Sequence, residues 1–219
     1  MNCNEPFIFH TECHLVVLTG RRARNIEELL HHLSEVSGSC IFYHTHYFQY
    51  LLFAFQPPRF YNDFANWISH ALQQERLAER LAGIDLLSLT SVREIRDSII
   101  KTIADQVASD NTLRRECPPG DEFHFCEAKS FIMPIGLSAH DVPELFANIA
   151  RLSNASLHFH FFESRLRLER PTNDFSLWLN DRGETTLAGK IDRLNLYGMK
   201  LDELKAELVR LGRRYRVKS

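Results

Sequence analysis

No run of apolar residues approaches the roughly 20 needed to cross a bilayer, so a membrane-spanning helix is not expected. The first ten residues, MNCNEPFIFH, lack the charged n-region and long apolar core of a signal peptide. Charge of one sign is missing as well. The 26 Lys and Arg stand against 28 Asp and Glu, for a formal charge of -2, and the pI is near 6.6. No global field attracts nucleic acid or anionic lipid, and any basic patch must be local. The five cysteines, Cys3, Cys13, Cys40, Cys117 and Cys126, are an odd number without a C-x-x-C pair. That usage fits a reducing, cytoplasmic setting rather than a disulfide scaffold. Nucleophile elbow, phosphate loop, dinucleotide fingerprint and zinc-finger spacing are all absent, so no motif specifies a reaction class.

What is present is apolar mass and a pattern. With 219 residues, 44% of them apolar, the chain is long enough to bury a core as one domain or two small ones. Sixteen phenylalanines and eleven histidines gather in strand-like runs, chiefly Ser39 to Tyr50 (SCIFYHTHYFQY) and Ala155 to Leu168 (ASLHFHFFESRLRL). Shifting the sequence on itself by 116 residues places Phe7 on Phe123, Phe9 on Phe125, Gly20 on Gly136, Ser37 on Ser153 and His44 on His160, with no gap. Under the same shift, Ile26, Leu29, Leu30, Leu33 and Val36 fall on Val142, Leu145, Phe146, Ile149 and Leu152, one apolar face of a helix in each copy. Further on, Asn62-Asp63-Phe64 with Trp67 matches Asn173-Asp174-Phe175 with Trp178.

The expected architecture is therefore α+β, a tandem duplication of a β-α-β-α-α unit: residues 1–109, a Pro/Gly linker over 110–121, and residues 122–219. Asn25 reads as an N-cap and Ser91 to Glu94 as a capping box. In each copy the second strand would return parallel to the first. The copies would then share a sheet of about four strands in one compact unit about a pseudo-twofold axis.

Alternation along the strands would put His44 and His46 on one face, and His158 and His160 on the matching face of the copy. His10 and its counterpart Cys126 would stand near the strand starts. His10, His44, Cys126 and His160 could then meet as three imidazoles and a thiolate, a set suited to zinc or another divalent transition metal, with Glu12, His46 or Glu163 behind them. The competing explanation is that these histidines are inward-facing residues stacked on phenylalanines. Arg21, Arg22 and Arg24 precede a helix N-terminus, where the dipole disfavours cations, which suggests an anion cradle; exposed, solvated arginines are the alternative. The Asn-Asp pairs read as caps. Arg210, Arg213, Arg214, Arg216 and Lys218 read as a solvated helix end.

The ordered motifs FIFHT, TGRRARNIEELL, IFYHTHYF, NDFANW, DEFHF and LHFHFFESRLRL followed by NDFSLW resemble a prokaryotic family described only as a domain of unknown function. The resemblance spans nearly the whole chain. It implies a single folded unit in a bacterial or archaeal cytoplasm and brings no activity or cofactor with it. Three functions stay open: a metal- or small-ligand-binding protein, a non-catalytic interaction or regulatory module that docks a protein partner or a second copy of itself, and an enzyme for an anionic metabolite held by Arg21, Arg22 and Arg24.

Overall fold

The computed structural model describes residues 5–48, 59–109, 115–194 and 199–216. Cys3, Lys218, Gln49 and Tyr50 at the end of the first histidine-rich run, and positions 110–114 of the expected linker lie outside them. Two compact units form, and they do not follow chain order. One is His14–Lys129; the other joins Met1–Cys13 to Ser130–Ser219. We call them unit I and unit II.

The chain opens with a 17-residue strand, β1 (Phe7–Ala23), and a second 17-residue strand, β2 (Phe123–Ala139), pairs with it. Thr19, late in β1, donates its hydroxyl to the carbonyl of Phe125, early in β2, as an antiparallel pair requires. Each strand passes from one unit to the other, β1 after Cys13 and β2 after Lys129. The unit boundaries therefore cut through both halves expected from the sequence. A two-stranded ribbon is marginal alone and needs helices against it. Phe7 and Phe9 in unit II, and Phe123 and Phe125 in unit I, supply the buried face.

Helix α1 (Ile26–Glu35) begins where the side chain of Asn25 accepts from Glu28 N–H, and it buries Ile26, Leu29 and Leu33. Helix α6 (Val142–Ile149) begins in the same way, with Asp141 accepting from Glu144 N–H. The two stretches after these helices depart from expectation. Instead of parallel strands, residues 38–47 form a short helix, α2 (Gly38–Phe42), that runs into a π-helical turn, π1 (Tyr43–Tyr47). Asn154–His158 (α7) likewise runs into π2 (Phe159–Glu163) and then α8 (Ser164–Leu168). Among the described residues the expected sheet of about four strands is corrected to two, because each half contributes one strand. The reason is burial. His44, Thr45, His46 and Tyr47 are consecutive and all buried, as are Phe159, His160, Phe161 and Phe162. A segment enclosed on every side carries no one-face periodicity, so alternating His and aromatic residues imitated a strand.

The remaining helices of unit I are α3 (Asp63–His70), α4 (Glu75–Ala82) and α5 (Val92–Ser109). Those of unit II are α6, α7 and α8 above, then α9 (Asp174–Asp181), α10 (Thr185–Asp192) and α11 (Leu201–Arg216). The capping box before α5 forms: Ser91 Oγ accepts from Glu94 N–H while the Glu94 carboxylate accepts from Ser91 N–H. In unit II, α11 packs on α6 at Gly212, where an added Cβ would lie 2.3 Å from the Phe146 ring. No described helix is long and apolar enough to cross a membrane.

Candidate functional site

Within unit I, Asn62 caps α3 by accepting from Ala65 N–H. Asp63, the first residue of that helix, reaches back instead to π1, where His44 Nδ1 donates to its Oδ2 over 2.6 Å. The other ring nitrogen of His44, Nε2, accepts the backbone N–H of Cys126 in β2 at 2.9 Å. A backbone N–H can only donate, so His44 is neutral with its proton on Nδ1. The imidazole thus ties a strand amide to a helix carboxylate. Phe64 and Phe123 close over it, with ring centroids 5.3 and 4.7 Å away.

Unit II contains the same device in different residues. Asn173 caps α9 by accepting from Ser176 N–H. His160 Nδ1 donates to Asp174 Oδ2 over 2.8 Å, and His160 Nε2 accepts the N–H of His10 in β1 at 2.8 Å. Burial lowers the pKa of His160, only partly opposed by Asp174, and the nearby Arg167 and His10 lower it further. The Asn-Asp pairs divide their labour: Asn caps, and Asp holds the histidine. Sequence spacing carries no signal for this, since the partners lie 19 and 14 residues apart.

The expected ligand set is therefore placed as follows. His10 and His160 meet in unit II, and His44 and Cys126 meet in unit I, each pair joined through a backbone amide. In this arrangement both ring nitrogens of His44 and of His160 are committed, and neither offers a lone pair to a metal. His10 Nδ1 lies 3.0 Å from the carbonyl of Ile8. His46 lies over Phe42 and places Nδ1 3.3 Å from Thr45 Oγ1. Arg21 pairs with Glu35 at 2.5 Å and Arg24 with Glu28 at 3.2 Å. The glutamates of α1 thus offset the cations that precede its N-terminus, and Arg22 acts at longer range on Glu122.

His158, by contrast, lies among carboxylates. In unit II its Nδ1 is 3.1 Å from Glu163 Oε1 and 4.0 Å from Glu12 Oε1. One ligand atom from each of the three residues falls within 4.8 Å of the others. The side chains are buried: 5% of His158, 4% of Glu12 and 11% of Glu163 remain exposed. Burial by itself would lower the pKa of His158, but the two carboxylates outweigh it and hold the imidazole above its usual value. Glu12 comes from β1, His158 from the end of α7 and Glu163 from the end of π2. The π-helical turn sets the last two on one side, and such turns recur at functional sites. Another group, His31, His32 and Glu35 on α1, is largely exposed, and Arg21 already engages its carboxylate. The sequence singled out His158, with Glu12 and Glu163 in supporting roles. Their convergence required the fold, since β1 and π2 lie about 150 residues apart.

The chain is similar along its length to a solved structure, that of OrfY from Thermoproteus tenax, with a TM-score of 0.80 and 26% identity. The similarity covers 96% of this chain and 95% of that one. No curated protein matches. Residues 4–213, all but the two ends, match the profile of one family, and the chain accordingly belongs to the family of unknown function DUF5752.

Proposed function

We propose that unit II binds a divalent transition metal, zinc or a metal of similar preference, through Glu12, His158 and Glu163. The observation that carries this reading is the burial of two carboxylates around one imidazole within coordination reach. Donors sharing one tetrahedral metal at about 2.1 Å stand roughly 3.4 Å apart, and the two His158 distances of 3.1 and 4.0 Å bracket that value. Charge argues the same way. Two carboxylates with a protonated imidazole sum to -1, whereas with a neutral imidazole and a dication they sum to zero, which costs less to bury. One imidazole and two carboxylates suit zinc, manganese or ferrous iron better than a thiolate-seeking ion. Elemental analysis of untagged protein tests this. Near-stoichiometric metal that is lost in Glu12→Gln/Glu163→Gln supports it; metal-free protein that takes up none on dialysis against zinc would leave the three residues as an imidazolium clamp.

A tandem duplication accounts for the matched 17-residue strands, the Asn25 and Asp141 caps and the two His-Asp clamps. On that reading the metal site arose in one copy alone, since the positions matching Glu12, His158 and Glu163 are Ala128, Phe42 and Tyr47. A cytoplasmic location fits the free cysteines Cys13, Cys40, Cys117 and Cys126.

A second reading, a docking module, is favoured by Phe131, Ile132 and Met133, consecutive residues of β2 in unit II that are 55%, 52% and 48% exposed. Adjacent exposed apolar residues on a strand suit pairing with another chain. Light scattering of Phe131→Thr/Met133→Thr tests it: loss of a self-associated species supports docking to a second copy, and a monomer in both proteins removes that partner.

A further inference from the structure

Unit II also contains a cavity of about 730 Å³ that the metal reading does not use, lined by α10 and α11. Leu187 and Leu211, both buried, form its apolar floor, and Tyr215 stands at its end. The tyrosine is fixed in place: its hydroxyl donates to Glu184 Oε1 over 2.6 Å. Four cations surround this floor, Lys190 from α10 and Arg210, Arg213 and Arg214 from α11. Arg210 is paired with Glu207, which also feels Arg214 at longer range. Among the described residues no ion pair holds Lys190, Arg213 or Arg214. Cations in the last turn of a helix are favoured by its dipole, which accounts for Arg213 and Arg214 in isolation. Lys190 stands likewise in the last turn of α10, but neither dipole explains why two helix ends bring their cations to one rim with an apolar cavity behind them.

We propose that this cavity binds an amphipathic organic anion, an acyl or aryl body that fills the space over Leu187 and Leu211 with a single carboxylate, sulfonate or phosphate held by Lys190, Arg213 and Arg214. The volume is that of an ordinary small-molecule site. Guanidinium forks match the planar or tetrahedral oxygens of such a head group, and an ammonium adds a point charge. The anion relieves repulsion among three like charges that the fold brings to one rim, while its body covers apolar surface that water wets poorly. This site shares no residue with Glu12, His158 and Glu163, and the two stand or fall separately.

The test is a fluorescence titration of the full chain with 8-anilinonaphthalene-1-sulfonate. One saturable site is expected, with affinity falling on the order of tenfold or more in Arg213→Ala/Arg214→Ala and again in Lys190→Ala, as loss of charge-assisted hydrogen bonds implies. Arg213 and Arg214 are exposed, and circular dichroism of the variants should match the parent, since exposed substitutions rarely cost more than about 0.5 kcal/mol. Laurate should displace the probe, and inorganic phosphate at the same concentration should not. Unchanged affinity in the arginine variant would overturn the proposal, as would an equal loss in Arg151→Ala, an exposed cation of the same unit, or displacement by phosphate as effective as by laurate.

Discussion

His160 Nδ1 and Asp174 Oδ2 stand 2.8 Å apart, and the proton between them fixes which nitrogen of the ring is left to accept the His10 amide. Truncating this ring, or His44 in unit I, leaves a strand N–H without its acceptor, takes a partner from a half-buried carboxylate (Asp174 keeps Arg167) and opens a cavity among phenylalanines. His160→Ala and His44→Ala should each cost about 2–4 kcal/mol. His31→Ala, at an exposed position, should stay within about 0.5 kcal/mol. Urea unfolding midpoints measure all three, and a His44→Ala protein as stable as the parent would remove the clamp from the account of the fold.

The two histidines of π2 and its approach should titrate with opposite consequences. The folded pKa of His160 lies below the ordinary 6.5, because of burial first and then Arg167 and His10, with Asp174 opposing. Its contribution is present above about pH 6.5 and is lost as pH falls through the folded value. His158 lies above 6.5, because Glu12 and Glu163 outweigh burial. In metal-free protein its contribution is present below about pH 6.5 and is lost as pH rises through the raised value. Ring nitrogen NMR shifts near pH 6.5 should find His160 neutral with its proton on Nδ1 and His158 charged. The reverse assignment would contradict both.

Gly212 should tolerate no side chain. Alanine would ordinarily favour a helix interior by about 1 kcal/mol, but its Cβ would sit 2.3 to 2.7 Å from three atoms of Phe146. Gly212→Ala should therefore destabilise by about 2 kcal/mol or more. Phe146→Leu should recover part of that loss in a double-mutant cycle, and strict additivity would place the strain elsewhere.

How far the sequence could be read depended on whether a signal was local. Asn25, Ser91 with Glu94, and the apolar stripe Ile26, Leu29, Leu33 lie within one or two turns of what they act on, and each does what its spacing indicates. The runs at His44 to Tyr47 and Phe159 to Phe162 misled because every residue in them is buried, so their alternation marked no buried face. The usable clue was Ser37 and Ser153, each an N-cap accepting the N–H of the third residue on, in front of stretches that continue as helix. The pairing of β1 with β2, and with it the approach of Glu12 to His158, is set by tertiary packing over more than 100 residues, beyond the reach of any local pattern.

The most direct measurement is cobalt(II) titration of metal-free protein under argon, followed by visible ligand-field absorption. A band that saturates at one equivalent, disappears in Glu12→Gln/Glu163→Gln and weakens as pH falls and His158 takes up a proton is the expected result. No saturable band, or the same band in the double variant, would contradict a metal site at Glu12, His158 and Glu163.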